Sequence, residues 1–361
     1  MLYKLLQLIG FAGGGALVAV VCNVLLLRFS RSLGIRNKND VVIRWSNESK
    51  PSLGGVSFFV VFVFAAIAYS IVFNEAPNIF QNKQYVGLFT AGSMAFLMGL
   101  ADDAYNTRPM IKLGVQIICG ILLSLTGTSI DFFHSFYPDA LLTVIWVVVV
   151  MNSLNMLDNM DGITGTTVFF ILLSCILVGW IIFPFHSNIW ILMMLSMIGA
   201  VIGFLSMNVH PSKLFMGDAG SQFIGLFVAF FSIRFLWNVG TAVPLEMHPS
   251  WLGLLVTGVA FTPAAVDTLT VVINRLKKGQ SPMVGGKDHT THHLVYAGLS
   301  DRKVWLVFVL LGAISTLFCV AMVHLISLKA YLIAACMFAY PVFAFVLLYR
   351  NTLKYPEPNN N

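Results

Sequence analysis

Charge is what this sequence holds least of. Only 10% of its 361 residues are Asp, Glu, Lys or Arg, against 58% apolar residues. Soluble domains carry about 25% charged residues, so an ordinary soluble fold is excluded. Cysteine is scarce too. Cys22, Cys119, Cys175, Cys319 and Cys336 each lie inside an apolar run, and none forms a Cys-x-x-Cys pair, which argues against a disulfide framework or a zinc site. No small-residue cleavage site follows the first apolar stretch after Lys4, so a retained first span is expected rather than a cleaved signal peptide. Internal repeats are absent. The net charge of +6 would suit nucleic acid, but its distribution points to a lipid bilayer instead and gives no nucleic-acid partner.

What the chain does have is apolar length. A search for about 20 apolar residues between polar turns returns eleven segments: 3–27, 54–73, 86–101, 111–126, 141–156, 163–183, 189–207, 223–237, 251–273, 304–326 and 330–349. The expectation is one all-α integral membrane domain over 1–361, a bundle of about eleven transmembrane helices with a polar tail at 350–361. Alternating the loops between two sides places 17 of the 21 basic residues on one side and three (Lys4, Lys83, Lys329) on the other, with Arg234 inside a span. The positive-inside rule makes the first side cytoplasmic. The N-terminus is then outside and the C-terminus inside.

The same alternation sends the acids to that cytoplasmic side. Asp102 and Asp103, Asp158 and Asp161, Asp218, and Asp288 with His289, His292 and His293 come from four loops far apart in sequence. Aspartates converging there would repel one another unless a cation or a set of donors neutralises them, and hard oxygen ligands of this kind suit Mg²⁺ or Mn²⁺. The segment "NSLNMLDNMDG" puts Asn152, Asn155 and Asp158 on one drifting stripe of a helix. Polar groups at that depth face a bundle interior or a watery cavity, or else hydrogen-bond between helices. Its spacing is not that of an EF-hand. In "NVHPSKLFMGDAGSQ" Asp218 can ligate a metal, Gly217 and Gly220 allow close backbone approach at a turn, and Phe215 can stack on a base or anchor at the interface. In "GGKDHTTHHL" zinc ligation is conceivable, but the basic surroundings fit phosphate better. Asp267 lies just inside the cytoplasmic end of its span and is expected to support the site. Arg234, near the outer end of its span, is expected to snorkel.

These parts suit transfer of a phosphorylated group onto a lipid at the inner edge of the membrane, the cations neutralising a pyrophosphate. From about residue 50 to 294 the chain resembles the polyprenyl-phosphate N-acetylhexosamine-1-phosphate transferases. The motifs that carry the likeness are "KPSLGG", "ADD", "NSLNMLDNMDG", "FMGDAGS" and the histidine-rich loop, in that order. The resemblance implies a Mg²⁺-dependent enzyme of the bacterial inner membrane. It would move a sugar 1-phosphate from a UDP-N-acetylhexosamine to undecaprenyl phosphate and release UMP. Asp218 and Asn155 would be metal ligands. Asp102, Asp103, Asp158, Asp161 and Asp218 would be catalytic, and Lys112 would contact phosphates. Asn152, Asn208, Phe215, His289, His292 and His293 would bind substrate. "HTTHH" departs from the His-x-His-His of many bacterial relatives, with Thr291 at the middle histidine, and it lacks the three consecutive histidines of the muramoyl-pentapeptide branch. The branch that primes O-antigen, teichoic acid and related surface glycans, with GlcNAc as the sugar, is therefore favoured. The alternatives are phospho-MurNAc-pentapeptide transfer for peptidoglycan and, from another class, a cation-coupled transporter, which would concentrate its acids near the midplane. A homodimer is left open.

Overall fold

The computed structural model describes residues 2–29, 51–73, 78–182, 189–242, 249–282 and 285–358. Outside these lie residue 1, residues 30–50, with Arg31, Arg36, Lys38, Arg44 and Lys50 expected on the cytoplasmic side, and residues 74–77, 183–188, 243–248, 283–284 and 359–361. Among the described residues every regular element is helical. The first seven are α1 (Leu2–Phe29), α2 (Val56–Val72), α3 (Lys83–Tyr105), α4 (Pro109–Leu125), α5 (Phe136–Leu157), α6 (Ile163–Ile182) and α7 (Ile189–Asn208). Then come α8 (Gly217–Ser232), continued by a π-helical turn (Ile233–Trp237), and the short α9 (Val239–Ala242). The chain finishes with α10 (Trp251–Ala260), α11 (Thr262–Lys277), α12 (Thr290–Tyr296), α13 (Asp301–Ser327), α14 (Tyr331–Cys336) and α15 (Ala339–Lys354).

Among the described residues, eight helical stretches are long and apolar enough to cross a membrane, or nine if α10 and α11 form one bent span. The expected spans 54–73 and 111–126 correspond to α2 and α4, apolar helices of 17 residues each. At about 25 Å they stand at the lower limit of the spanning range. The protein is an all-α polytopic membrane protein.

The molecule is built around α8. Apolar nearly all round, it has to be enclosed by other helices, and 94% of its spanning window is buried, against 22% for α1 and 17% for the C-terminal pair α14 and α15. Phe223, Phe227, Phe230 and Phe231 are wholly buried on it, and α3 and α5 are its main neighbours. Two expected boundaries move as a result. α3 runs to Tyr105, so Asp102 and Asp103 belong to its last turn instead of lying beyond its end; Asn106 closes it in the left-handed conformation, φ 52°. α8 starts at Gly217, six residues before the expected 223, so Gly220 is helical and Asp218 stands in the first turn.

The expected span 251–273 is broken. α10 and α11 meet at 84°, and Pro263 in the first turn of α11 supplies the reason: its ring nitrogen cannot donate and its ring clashes with the carbonyl four residues back. That carbonyl, of Val259, instead accepts the Thr262 hydroxyl at 2.7 Å. The bend lays α11 against α5 and α15, with Asp267 and Arg275 buried on it.

Where α3 meets α8 the backbones touch. A Cβ on Gly99 would overlap the Asp218 carbonyl and the Ala219 backbone, neither of which can rotate away. We expect Gly99→Val to separate the two helices, costing on the order of 1–3 kcal/mol and lowering the thermal midpoint in detergent. Gly114→Val, at a position with nothing within 4 Å, should leave the midpoint unchanged.

Candidate active site

Four helix ends converge at one end of the bundle: the last turn of α3, the first turns of α4 and α8, and the last turn of α5. A helix start leaves backbone N–H groups without partners, and at α8 these are met from another helix. Asp103 accepts the Asp218 N–H on Oδ1 at 3.0 Å and the Ala219 N–H on Oδ2 at 2.9 Å. The negative charge also suits the positive end of the helix dipole. Asp103 is therefore a positioning residue that holds the N-terminus of α8 against α3. Gly217, at φ +77°, makes the turn into the helix; a side chain there would meet the Ser52 carbonyl and Asp103.

Asp102 is buried and fully engaged. Its Oδ1 accepts the Thr107 N–H at 2.8 Å and the Thr107 hydroxyl at 2.6 Å, and its Oδ2 accepts Lys112 Nζ at 2.7 Å. Asp218 stands within hydrogen-bonding reach of Asp102. Asn155 Nδ2 donates to its Oδ1 at 2.5 Å and also to Ser221, while Lys112 Nζ lies 3.9 Å from its Oδ2. Exposure separates the two acids: the Asp218 side chain is 28% exposed and that of Asp102 only 6%. Asp218 is the carboxylate open to an incoming group. Three carboxylates face one lysine here, leaving a net negative charge that a cation would offset. Asp158 caps α5 one turn beyond Asn155.

Several residues expected to bind substrate, and Asp161 from the expected catalytic set, also hold the scaffold. Asn152 and Gln116 exchange hydrogen bonds (2.7 and 3.3 Å), and Gln116 donates on to Gln222 at 3.0 Å. This amide ladder joins α5, α4 and α8, because an amide at that depth has no water to satisfy it. Asn208 is 4% exposed; it accepts the Gly162 N–H at 2.9 Å and donates to the Leu214 carbonyl at 2.8 Å. Asp161 accepts the Ser212 N–H and hydroxyl at 3.1 and 2.8 Å and lies 3.1 Å from His210 Nδ1. Both residues clamp the turn after α5 to the loop before α8. Phe215 joins that loop to the Pro-x-x-Gly-Gly segment through its backbone: its N–H donates to Pro51, and its carbonyl accepts from Gly54.

The histidine loop is fastened from three sides. Arg275 grips Asp288 with two hydrogen bonds of 2.8 and 2.6 Å and donates to the Pro282 carbonyl. Burial alone would raise the Asp288 pKa, but the Arg275 hydrogen bonds and charge hold it below the usual carboxylate range. Asp267 takes His289 Nδ1 at 2.8 Å and the Thr290 N–H and hydroxyl at 2.8 and 2.6 Å, which leaves Nε2 of a neutral His289 as the acceptor nitrogen. Thr291 donates to Asn159 at 2.7 Å, joining the loop to the turn after α5. His293, expected at the substrate, gives its Nδ1–H to the Tyr355 carbonyl at 2.6 Å and so ties the C-terminal segment to the loop.

Gln116, Gln222, Asn159 and Ser212 were not among the expected site residues, and Arg275 was expected only as one of the basic residues around the histidine loop. Polarity within apolar runs was a usable signal for the two glutamines, as it was for Asn152. The others are ordinary loop or helix-end residues whose partners are remote in sequence.

His292 is 2% exposed, and its pKa falls to about 3, burial being the main cause and the His289 charge the next. A solvated histidine titrates near 6.5. Between these values the undocked loop binds the extra proton, so docking weakens as pH falls through that window, by about 1.4 kcal/mol per pH unit for one group. His293, lowered in the same direction by burial, adds to it. We expect the thermal midpoint to drop between pH 6.5 and 5, above the carboxylate range, with a shallower slope in His292→Gln. An unchanged slope would remove His292 from the docked loop.

Residues 85–236 match the family model described as glycosyl transferase family 4. The chain is 28% identical over 279 residues, 73% of its own length and 71% of the relative's, to a probable undecaprenyl-phosphate N-acetylglucosaminyl 1-phosphate transferase of Bacillus subtilis. It is 24% identical over 326 residues (82% and 77%) to a decaprenyl-phosphate N-acetylglucosaminephosphotransferase of Mycolicibacterium smegmatis. To a phospho-N-acetylmuramoyl-pentapeptide-transferase of Streptococcus uberis it is 27% identical over 331 residues (81% and 90%). The matched stretch runs from the start of α3 through α8 and so contains the Asp102, Asp103, Lys112, Asn155 and Asp218 cluster. The family match and these relatives together support a place for the chain among the polyprenyl-phosphate N-acetylhexosamine-1-phosphate transferases.

Proposed function

We infer that the protein transfers GlcNAc 1-phosphate from UDP-GlcNAc to undecaprenyl phosphate at the cytoplasmic face of the bacterial inner membrane, starting a surface glycan. The observation that carries this reading is the open Asp218 carboxylate, held on the first turn of α8 beside Lys112 and Asp102. A lipid phosphate needs little activation, since its second pKa is about 6, so the site has to position two phosphate-bearing substrates rather than abstract a proton. An oxygen of the lipid phosphate attacks the sugar-linked phosphorus of the donor. The bond from that phosphorus to the bridging oxygen breaks, and UMP leaves with the electron pair.

Mg²⁺, or Mn²⁺, fits this donor set. Among the described residues no three His, Cys, Asp or Glu side chains are grouped to hold a metal, and Mg²⁺ usually takes one or two carboxylates with substrate phosphates completing its shell. Asp218 would hold it. Asn155 would join only with its amide turned over, since Nδ2 faces Asp218. When bound, the ion neutralises pyrophosphate charge. Lys112 adds a second cation for the same oxygens, Asp102 fixes the lysine, and Asp103 fixes the carboxylate-bearing helix. His289, oriented by Asp267, offers a ring nitrogen to the sugar or pyrophosphate.

The choice of GlcNAc over a muramoyl-pentapeptide is supported by the "HTTHH" loop, where Thr291 bonds Asn159. Purified protein given undecaprenyl phosphate, Mg²⁺ and each UDP-sugar in turn should release UMP with UDP-GlcNAc. Release only with UDP-MurNAc-pentapeptide would move the protein to the other branch, and release with no donor would end the transferase reading. Asp218→Asn should lower turnover by about 10³-fold or more, the scale of losing a charge-stabilising group, with an unchanged melting profile as the check on folding.

A further inference from the structure

At the opposite end of α8 the structure holds a second polar site that the transfer reaction does not use. Arg234 follows Asp218 by 16 residues on one helix, about 24 Å at 1.5 Å per residue. Gln84 precedes Asp102 by 18 residues on α3, about 27 Å by the same rule. Both helices thus place this site one hydrocarbon thickness, about 30 Å, from the carboxylates. A cavity of about 190 Å³ opens there, lined by Gln84, Thr128, Arg234 and Asn238 among others.

Arg234 sits in the π-helical turn, a distortion often found at functional sites, with Ile233, Phe235, Leu236 and Trp237 buried around it. Its Nη1 donates to Gln84 Oε1 at 2.7 Å, and Gln84 is itself fixed by the Gly127 carbonyl at 2.6 Å. The guanidinium lies 4.8 Å from the Trp190 ring centre. This clamp is unlike the free extension to water expected of a snorkelling side chain. Arginine keeps its charge and offers five donors, yet Nε is buried without a hydrogen-bond partner, and among the described residues no carboxylate pairs with the guanidinium. Among the described residues, the acids of the neighbouring loop and helix start are committed elsewhere: Asp131 pairs with His134 at 3.0 Å, and Asp139 accepts the N–H groups of Phe132, Phe133 and Ser135. The Thr128 hydroxyl, on a residue 4% exposed, is also buried without a partner. Asn238 holds the Ser129 carbonyl and the Asp131 N–H, which fixes the loop that carries Thr128. Among the described residues this permanent cation has no counter-ion, and with an unused hydroxyl beside it at the membrane's edge it makes a site suited to an anion.

We propose that the cavity around Arg234 and Thr128 binds an anionic phosphate group, at the end of the bundle away from the Asp218 cluster. Its source is either the phosphodiester of an anionic phospholipid or free phosphate, and two arms of one experiment separate these. In the first arm, the full-length protein and Arg234→Gln are placed in phosphatidylcholine nanodiscs with and without phosphatidylglycerol, and retained phosphatidylglycerol is counted by native mass spectrometry. In the second, both proteins are melted in lipid-free detergent with and without millimolar inorganic phosphate. The wild type should retain phosphatidylglycerol, or be stabilised by phosphate, with an affinity at least about tenfold above that of Arg234→Gln, as expected for losing a charged hydrogen bond. Equal behaviour of the two proteins in both arms overturns the proposal. Should Arg234→Gln fail to fold, Thr128→Val replaces it, and wild-type behaviour of that variant in both arms overturns the proposal equally.

Discussion

The contact between the Asp103 carboxylate and the Asp218 and Ala219 N–H groups in the first turn of α8 is the constraint on which the site rests. It satisfies donors that a helix start otherwise leaves bare, places negative charge at the positive end of the dipole, and brings the last turn of α3 to the first turn of α8. Glycine at position 99 allows the approach. With the two ends joined, Asp102 and Asp218 stand side by side, and Lys112 from α4 reaches both. Neighbouring carboxylates are costly unless something positive lies between them, so the geometry that makes the site also creates its demand for cations.

The polar residues of this apolar chain then sort by what surrounds them. Asn152, Gln116 and Gln222 satisfy one another between helices. Asp161 and Asn208 lock two loops together, and Arg275 with Asp288 and Asp267 with Thr290 lock a third. Each is engaged by protein groups on most of its polar atoms. Asp218, 28% exposed on its side chain, and His289, oriented by Asp267 through one ring nitrogen, retain capacity for a ligand. Arg234 keeps the same kind of unused capacity at the far end of α8. Chemistry in this protein resides where a charged or hydrogen-bonding group is held in place but not fully satisfied.

Much was legible from the residues alone. Scarce charge and long apolar runs determined a helical membrane protein, because only internally satisfied backbones survive in hydrocarbon. The distribution of basic residues grouped the acids and histidines of four distant segments on one side, and the ordered motifs pointed to phosphosugar transfer to a lipid. Those inferences need only local composition and alternation. The break at Phe261 was less legible, though Pro263 marked it, since prolines in membrane helices do not always bend them this far. What only the tertiary structure decided is which polar groups are already partnered. Asp103 and Asp218 are 115 residues apart, and Asn155 and Asp218 are 63 apart; Asn159 and Thr291 are separated by 132. A side chain's role depends on the neighbours that packing delivers, and contacts over such separations leave no periodicity in the chain that makes them.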